Sequence, residues 1–316
     1  MKQRHLGKSG LEVSLLGLGC NNFSRRTDLD QTREIVHKAL DVGITLFDTA
    51  DAYGGELGGS EIFLGQILKE RRKDVILATK FRMPMDDAGK LQGASRRYIM
   101  TAVEASLRRL QTDWIDLYQL HRPDPATPIE ETLRALDDLV RQGKVRYIGC
   151  TNLAAWQVVN AHWTSRQANI HSFISCQNEY NLLARQAERE LVPAMEALGH
   201  GFMPYFPLAS GMLTGKYRQN EPAPENSRLR SWAKPIERFT TQESNWPILE
   251  NLRQFCAARQ RSLVELAFGW LASRPFISSV IAGATSPRQV EENVKAIDGA
   301  WGPDDLAEID RMTQRT

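Results

Sequence analysis

Short apolar segments alternate with amphipathic helical segments through most of this chain, and this alternation restricts the possible folds more than any other feature. The apolar segments are nearly continuous in hydrophobicity, which is typical of strands buried on both faces of a parallel sheet. Eight segments predict strands: Leu15–Leu18, Ile44–Phe47, Val75–Ala78, Ile115–Gln119, Tyr147–Cys150, Phe173–Cys176, Phe202–Tyr205 and Val280–Ala282.

The intervening segments repeat apolar residues at helical spacing. The clearest predicted helices are Arg96–Leu110, Ile129–Val140 and Leu263–Leu271. Eight strands, each followed by a helix, predict an α/β fold of the (β/α)8, or TIM, barrel type, spanning residues 1–316 as a single domain. A doubly wound sheet is the competing architecture, but the glycine pattern that opens a dinucleotide-binding βαβ unit is missing from the sequence.

Two long segments interrupt the alternation. Residues 83–95 follow the third predicted strand, and residues 208–246 form a longer segment that is rich in Gly and Pro. A loop of this length inside a compact domain is usually a functional loop or lid. The long loop precedes the C-terminal helices, and we expect both loops to border a binding site.

The composition excludes several classes of protein. The chain has 316 residues, a formal net charge of +2, 42% hydrophobic and 25% charged residues. These values predict a globular protein that binds neither nucleic acid nor membranes. The four cysteines are widely spaced and the histidines show no zinc-binding pattern, so we expect reduced thiols, a cytoplasmic location and no metal.

The basic and apolar residues before Cys20 resemble a signal peptide that ends in a lipidated cysteine. Glu12 and Ser14 interrupt the apolar run, and Gly17-Leu18-Gly19 is a poor processing site. A β-hairpin that turns at Ser9-Gly10, followed by a buried strand, explains the segment better.

Polar residues at the predicted strand ends form the candidate catalytic set. Asp48, Lys80 and His121 end three strands, and Tyr53 lies five residues beyond Asp48. The carboxyl ends of the strands face the mouth of a barrel, where active sites lie. A lysine favours the phenolate of a nearby tyrosine, which lowers its pKa and lets it exchange a proton near neutral pH. With an aspartate to orient the lysine and a neutral histidine to bind a carbonyl oxygen, the set suits carbonyl reduction by a hydride-donating cofactor.

The motifs around these residues resemble the aldo-keto reductase family, and the bacterial members and potassium-channel β subunits in particular. The similarity runs in order along nearly the whole chain, in the segments 47–54, 78–80, 116–121, 143–152, 177–181, 205–211, 215–217 and 283–293. It implies a barrel that binds a nicotinamide cofactor and reduces an aldehyde or ketone. Tyr53 would then be the general acid, Lys80 and Asp48 would tune it, and His121 would orient the carbonyl.

The resemblance also implies a set of cofactor-binding residues. Thr151, Asn152 and Gln177 would hold the nicotinamide carboxamide, Tyr205 would stack on the ring, and Gly283 to Asn293 would bind the adenosine end. The full implied set is Thr151, Asn152, Gln177, Tyr205, Phe206, Leu208, Ser210, Lys216, Arg228, Gly283, Thr285, Arg288, Gln289, Glu292 and Asn293. A helix that begins near Pro287 would point its N-terminus at a 2′-phosphate.

Three of these positions depart from the common family pattern. Phe206 stands where members often have Ser, Gly283 where many eukaryotic members have Lys, and Gln289 where they have Arg. Arg288 and Arg228 are the alternative sources of positive charge for a 2′-phosphate. The sequence therefore favours NADP(H) and leaves NAD(H) open.

Substrate contacts are expected from the loops at the barrel mouth. The candidates are Asn21, Asn22 and Phe23 after the first barrel strand, Met83 after Lys80, and Trp232 in the long loop. Loops vary freely, so neither the carbonyl substrate nor the oligomeric state follows from the sequence.

Two other functions remain open beside a reductase. A cofactor-sensing regulatory subunit would keep the same four residues, bind NADP(H) tightly and turn over slowly. A barrel hydrolase would need a second carboxylate facing Asp48. Glu179 is the only candidate for that carboxylate, and its surroundings fit a cofactor site better.

Overall fold

Eight parallel strands form the central sheet in the computed structural model, which describes residues 1–219, 221–222, 224–225, 239–240 and 242–314. These strands are β3 (Leu16–Gly19), β4 (Leu46–Asp48), β5 (Ile76–Phe81), β6 (Ile115–Leu120), β7 (Val145–Thr151), β8 (Ser175–Gln177), β9 (Gly201–Phe202) and β10 (Val280–Gly283). Their order in the sheet is β10-β3-β4-β5-β6-β7-β8-β9.

Backbone contacts between the two end strands close the sheet into a barrel. Phe202 and Tyr205 form parallel bridges with Ile277 and Ile281, respectively. The predicted strand over residues 202–205 is shorter in the structure, because Pro204 has no N–H to donate to the sheet. The predicted (β/α)8 barrel is confirmed.

An antiparallel hairpin precedes the barrel. Its strands are β1 (Gln3–His5) and β2 (Glu12–Ser14), with His5 paired to Glu12 across the predicted turn. The guanidinium group of Arg4 donates hydrogen bonds to the carbonyl oxygens of Ala272, Arg274 and Ile277 at 2.6–3.0 Å. This contact ties the hairpin to the segment that leads into β10.

Helices surround the strands, and local sequence signals explain where several of them begin. The helices in the described residues are α1 (Leu29–Asp41), α2 (Gly59–Leu68), α3 (Arg96–Leu110), α4 (Ile129–Arg141), α5 (Ala155–Ala168), α6 (Leu191–Leu198), α7 (Asn245–Ala258), α8 (Leu263–Ala272), α9 (Pro287–Ile297) and α10 (Pro303–Thr313), with short 3-10 helices at Lys69–Asp74, Gln186–Glu188 and Ala209–Thr214. Ser95 caps α3, Ser262 and Glu265 form a capping box on α8, and Ser286 followed by Pro287 starts α9.

The buried side chains form two layers. The larger lies between the strands and the helices, and the smaller fills the barrel interior with Leu46, Ala78, Leu117 and Met203. Leu6 of the hairpin segment packs into this interior cluster. Apolar residues therefore occupy one end of the barrel, which leaves the carboxyl ends of the strands for polar chemistry. In the part of the chain that the structure describes, every helix is too short or too polar to span a bilayer.

Candidate active site

The four predicted catalytic residues meet at the carboxyl end of the barrel. Asp48 is the last residue of β4, Lys80 lies in β5, and His121 follows β6 directly. Tyr53 lies in the loop after β4, where a tight turn at Gly54 follows it. Gly54 has a φ of +135°, and a Cβ there would lie 2.4 Å from the Glu56 carbonyl oxygen, so the turn needs glycine.

Lys80 and Asp48 form a buried ion pair. Lys80 Nζ donates to Asp48 Oδ2 at 2.6 Å and to the Thr49 carbonyl oxygen at 2.9 Å, and Lys80 is 0% exposed. The other carboxylate oxygen of Asp48 accepts hydrogen bonds from the amides of Gln119 and Gln177 at 3.1 and 2.9 Å. Burial lowers the pKa of Lys80, but Asp48 and Tyr53 outweigh it and leave that pKa raised, so the ammonium group stays charged.

Tyr53 lies against this ion pair, with Lys80 Nζ 5.0 Å from its ring centroid. Burial raises the pKa of Tyr53, and the charge of Lys80 opposes that rise without reversing it. The expectation of a lowered pKa is therefore wrong, because desolvation of the phenolate outweighs the lysine. The phenol keeps its proton at neutral pH, which is the state that a proton donor requires.

His121 faces Tyr53 edge-on, with ring centroids 5.7 Å apart and an interplanar angle of 81°. Burial lowers the pKa of His121 well below its ordinary value, and the charges of Lys80, Arg122 and Arg82 lower it further. The imidazole is therefore neutral at physiological pH. Its Nδ1 is buried without a hydrogen-bond partner among the described residues, so the ring has hydrogen-bonding capacity left for a ligand.

A cavity of about 1130 Å³ opens above these side chains. Its lining includes Asp48, Tyr53 and His121 at one end and residues of α9 at the other. Of the predicted cofactor positions, the lining contains Thr151, Asn152, Gln177, Tyr205, Phe206, Leu208, Ser210, Lys216, Gly283, Thr285, Gln289, Glu292 and Asn293. The structure thus brings residues from five different strand ends and two loops to one elongated cavity.

Hydrogen bonds organise the middle of the cavity. The hydroxyl of Tyr205 donates to Asn152 Oδ1 at 2.7 Å, and Asn152 Nδ2 donates to the His121 carbonyl oxygen at 3.0 Å. The Thr151 hydroxyl donates to the same carbonyl oxygen at 2.8 Å. Asn152 has a φ of +60°, and its backbone N–H donates to Asn178 Oδ1 at 3.1 Å. These contacts hold the Tyr205 ring in a fixed position beside the catalytic set.

The segment after Tyr205 has an unusual backbone. Phe206, Ala209, Ser210 and Gly211 all have positive φ, and the 3-10 helix Ala209–Thr214 is kinked inside. Within this turn the backbone N–H groups of Ala209 and Gly211 donate to the carbonyl oxygens of Phe206 and Leu208, each at 2.8 Å. Ser210 lines the cavity, and its hydroxyl is buried without a partner among the described residues. The donors present here and at His121 therefore fit a dinucleotide with a pyrophosphate group.

Gly283 forms part of the cavity wall near α9. A Cβ at this position would lie 3.1 Å from Asn22 Nδ2 and 3.4 Å from Asn21 Oδ1, so glycine keeps this wall open. Gln289 Oε1 accepts from the Thr285 backbone N–H at 2.8 Å at the start of α9. The N-terminus of α9 thus borders the cavity, as a 2′-phosphate site would require.

Two predicted cofactor positions differ from the rest. The side chain of Arg288 is 85% exposed, pairs with Glu292 at 2.8 Å and is not among the described residues that line the cavity. Its place on α9 turns it outward, so its proposed role as a phosphate ligand is not supported. Arg228 lies outside the described residues.

The predicted substrate residues divide in the same way. Asn21, Asn22 and Met83 line the cavity. Phe23 does not, because its side chain is fully buried and packs in the layer between strands and helices, so this prediction is corrected. Trp232 lies outside the described residues.

Sequence reasoning missed several residues that line the cavity. Arg25, Arg26 and Arg122 lie at its mouth, and Cys20 at the end of β3 forms part of the wall. Their position in the sequence was the available signal. Arg122 directly follows His121, and Arg25-Arg26 closely follow the predicted substrate residues Asn21–Phe23.

The cysteines and histidines form no second site in the described part of the chain. All four cysteines are free and buried. Among the described residues, no three His, Cys, Asp or Glu side chains are placed to hold a metal ion.

Comparison with known proteins agrees with this geometry. The model of the aldo/keto reductase family matches residues 15–314. A putative voltage-gated potassium channel subunit beta of Schizosaccharomyces pombe is 34% identical, over 99% of this chain and 93% of its own length. The uncharacterized oxidoreductase YrpG of Bacillus subtilis is 36% identical over 94% and 91%. The L-glyceraldehyde 3-phosphate reductase of Escherichia coli K12 is 33% identical over 98% and 92%.

The chain belongs to the aldo/keto reductase family. The resemblance found in the motifs is thereby confirmed, as is the barrel that it implied. The family and the oxidoreductases among the relatives define the chain as an oxidoreductase of the carbonyl-reducing, nicotinamide-dependent type.

Proposed function

We propose that the protein reduces an aldehyde or ketone to an alcohol with NADPH, and that Tyr53 is the proton donor. The observation that carries the proposal is the buried Lys80–Asp48 pair, which lies against the Tyr53 ring at the base of the cavity. A bound reduced nicotinamide supplies the hydride. Everything else in the reaction concerns how this chain places the carbonyl and delivers one proton.

Tyr53 gives its hydroxyl proton to the substrate oxygen as negative charge develops there. Its raised pKa keeps that proton in place until reduction begins. Lys80 then stabilises the phenolate that remains, because its charge is close and shielded from solvent. Asp48 holds Lys80 charged and oriented, and two glutamine amides fix the Asp48 carboxylate in turn.

His121 binds the same oxygen as a neutral hydrogen-bond donor. Its lowered pKa keeps it neutral, so it orients the carbonyl and does not compete with Tyr53 as an acid. Both rings are partly buried, which limits the water around the reacting oxygen and strengthens both hydrogen bonds.

Thr151, Asn152 and Gln177 are the residues we propose to hold the nicotinamide carboxamide. Tyr205, fixed by its hydrogen bond to Asn152, would stack on the ring. The Ser210 hydroxyl, with Lys216, would hold the pyrophosphate, and the N-terminus of α9 would receive the 2′-phosphate of NADPH. NADH is the rival donor to be measured beside it.

Tyr53→Phe provides the direct test, with Tyr147→Phe as the matched control because Tyr147 lies in β7 and does not line the described cavity. NADPH oxidation with an aromatic aldehyde and NADPH binding by fluorescence would be measured together. We expect Tyr53→Phe to lose activity by a factor of about 10²–10⁴ and to bind NADPH normally. Equal activity of Tyr53→Phe and the wild type would contradict the proposal.

A second function is favoured by a specific observation. Relatives from Schizosaccharomyces pombe, rice and Arabidopsis thaliana that are 34–35% identical are named as channel β subunits. We therefore propose cofactor sensing with slow turnover as the alternative. NADPH that co-purifies with the protein, together with cofactor release slower than hydride transfer in single-turnover experiments, would favour this function over that of a metabolic reductase.

We place the reaction in the cytoplasm. The four buried, unpaired thiols support this proposal, because disulfides are rare in a reducing compartment.

A further inference from the structure

Arginines outnumber carboxylates in the described lining of the cavity. Arg25, Arg26 and Arg122 line its mouth. The carboxylates that line the cavity among the described residues are Asp48, which Lys80 neutralises, and Glu292, which pairs with Arg288 near the adenosine end. Arg26 and Arg122 therefore line the substrate region without an acidic counterpart among the described lining residues.

The arginines flank the Tyr53–His121 pair from two sides. Arg122 follows His121, whose backbone N–H donates to the Phe81 carbonyl oxygen at 3.1 Å. On the other side, the Gly55 N–H donates to the Ser24 carbonyl oxygen at 3.0 Å and fastens the loop after β3 to the loop that carries Tyr53.

A tight turn positions Arg25 and Arg26. The backbone N–H groups of Arg25 and Arg26 both donate to the Asn22 carbonyl oxygen, at 3.2 and 2.8 Å. A Cβ at Gly55 would lie 2.6 Å from the Ser24 carbonyl oxygen, so the two loops approach as closely as glycine allows. The arginine pair is therefore held beside Tyr53 by backbone contacts.

The positive charge of Arg122 acts on His121, the side chain that would orient the carbonyl. After burial and Lys80, the charges of Arg122 and Arg82 are the next causes that lower the pKa of His121. Within the described residues, neither Arg26 nor Arg122 has an ion-pair partner. An anion at the mouth would meet these guanidinium groups without first displacing a carboxylate.

The depths of the catalytic residues and the arginines determine how a substrate would lie along the cavity. Lys80 and Asp48 are buried at its base, whereas Arg25, Arg26 and Arg122 are exposed at its mouth. A carbonyl carbon at the base and an anionic group at the mouth would match this arrangement. Guanidinium groups bind phosphate and carboxylate in a bidentate geometry.

We propose that the preferred substrates are carbonyl compounds that carry a phosphate or carboxylate group, bound by Arg26 and Arg122 while the carbonyl meets Tyr53 and His121. This inference rests on the proposed reductase function and narrows its substrate class. The reaction is unchanged by the anion, which contributes binding and orientation alone.

Matched substrate pairs test the proposal. 4-Formylbenzoate would be compared with its methyl ester, and glyceraldehyde 3-phosphate with glyceraldehyde, each by kcat/KM with NADPH. We expect the anionic member to be preferred by about tenfold or more at low ionic strength, mainly through KM. Added salt should reduce the preference, because it screens exposed charges. The pair with the larger ratio identifies the phosphate or the carboxylate as the favoured group.

The double variant Arg26→Gln/Arg122→Gln should bring both ratios close to one. Arg134→Gln is the matched control, since Arg134 pairs with Glu130 on the surface of α4, and it should retain the wild-type rates and ratios. Wild-type protein that reduces both members of each pair equally would overturn this inference and leave the reductase function intact. No turnover of any of the four aldehydes would instead overturn the reductase function, and this inference with it.

Discussion

Lys80 Nζ lies 2.6 Å from Asp48 Oδ2 in a buried ion pair, in which the Lys80 side chain is 0% and the Asp48 side chain 4% exposed. Residues 48 and 80 come from adjacent parallel strands, with Asp48 in register with Ala78. In this buried pair, each charge is stabilised by the other. Removal of one partner leaves the other as an uncompensated charge in a medium of low polarity.

We expect Lys80→Met and Asp48→Asn each to destabilise the protein by about 3–5 kcal/mol. The double variant should recover most of that loss, since no buried charge is left unpaired, yet it should lack reductase activity. Denaturant unfolding of the four proteins gives the coupling free energy. Additive losses in the double variant would show that the ion pair is not a coupled unit.

His121 and Tyr53 together set the expected pH dependence of reduction. The lowered pKa of His121 and the raised pKa of Tyr53 keep both groups in their active states from weakly acidic pH to about pH 10. We expect kcat/KM for reduction to be flat across this range and to fall above it as Tyr53 loses its proton. A pH–rate profile with a limb near pH 6.5 that disappears in His121→Asn would contradict this assignment.

Asp51 is a buried carboxyl group without a hydrogen-bond partner among the described residues for either side-chain oxygen. Burial raises its pKa well above the ordinary value of 3.8, and the charge of Glu61 raises it further. A group whose pKa is raised by folding stabilises the protein fully below its unfolded pKa. That contribution is lost as the pH rises through the folded value.

Asp51→Asn should therefore match the wild type in stability at acid pH and exceed it increasingly as the pH rises from about 4. Urea unfolding at several pH values measures the difference. Asp87→Asn is the control, because Asp87 lies exposed in the loop after β5. A difference between Asp51→Asn and the wild type that does not change with pH would show that Asp51 does not titrate as described.

Gln289 is the position at which we expect a substitution to change the cofactor preference. It lies in the first turn of α9 and lines the cavity, and its side chain accepts from the Thr285 backbone. Gln289→Arg adds a guanidinium group where the 2′-phosphate would lie, so the ratio of kcat/KM for NADPH over NADH should rise about tenfold. Steady-state kinetics with both cofactors tests this. Arg288→Gln serves as the control, and we expect a small effect because Arg288 points outward.

The barrel could be predicted from the sequence because its strands have a strong local signal. Residues 115–120 and 145–151 are apolar enough to be recognised without their neighbours, and Ser95 marks the exact start of α3. The strand ends then located Asp48, Lys80 and His121, since the carboxyl ends of parallel strands meet at one mouth.

Loop geometry could not be predicted in the same way. The turn that buries Phe23 and the helical phase that turns Arg288 outward depend on tertiary packing. The raised pKa of Tyr53 could not be predicted for a similar reason, because the sequence shows the nearby lysine but not the depth of burial. Arg25, Arg26 and Arg122 lie close in sequence to predicted site residues, but only the structure shows that they line the cavity.

The contacts of Arg4 have a consequence for synthesis of the chain. Its guanidinium group bonds to residues 272–277, and β3 pairs with β10, so both contacts join segments more than 260 residues apart. The strands β4 to β7 can pair with their neighbours as they leave the ribosome, but β3 keeps one exposed edge until β10 emerges. Such an edge can pair with other chains, so the nascent protein is exposed to edge-to-edge aggregation until β10 has been synthesised and paired.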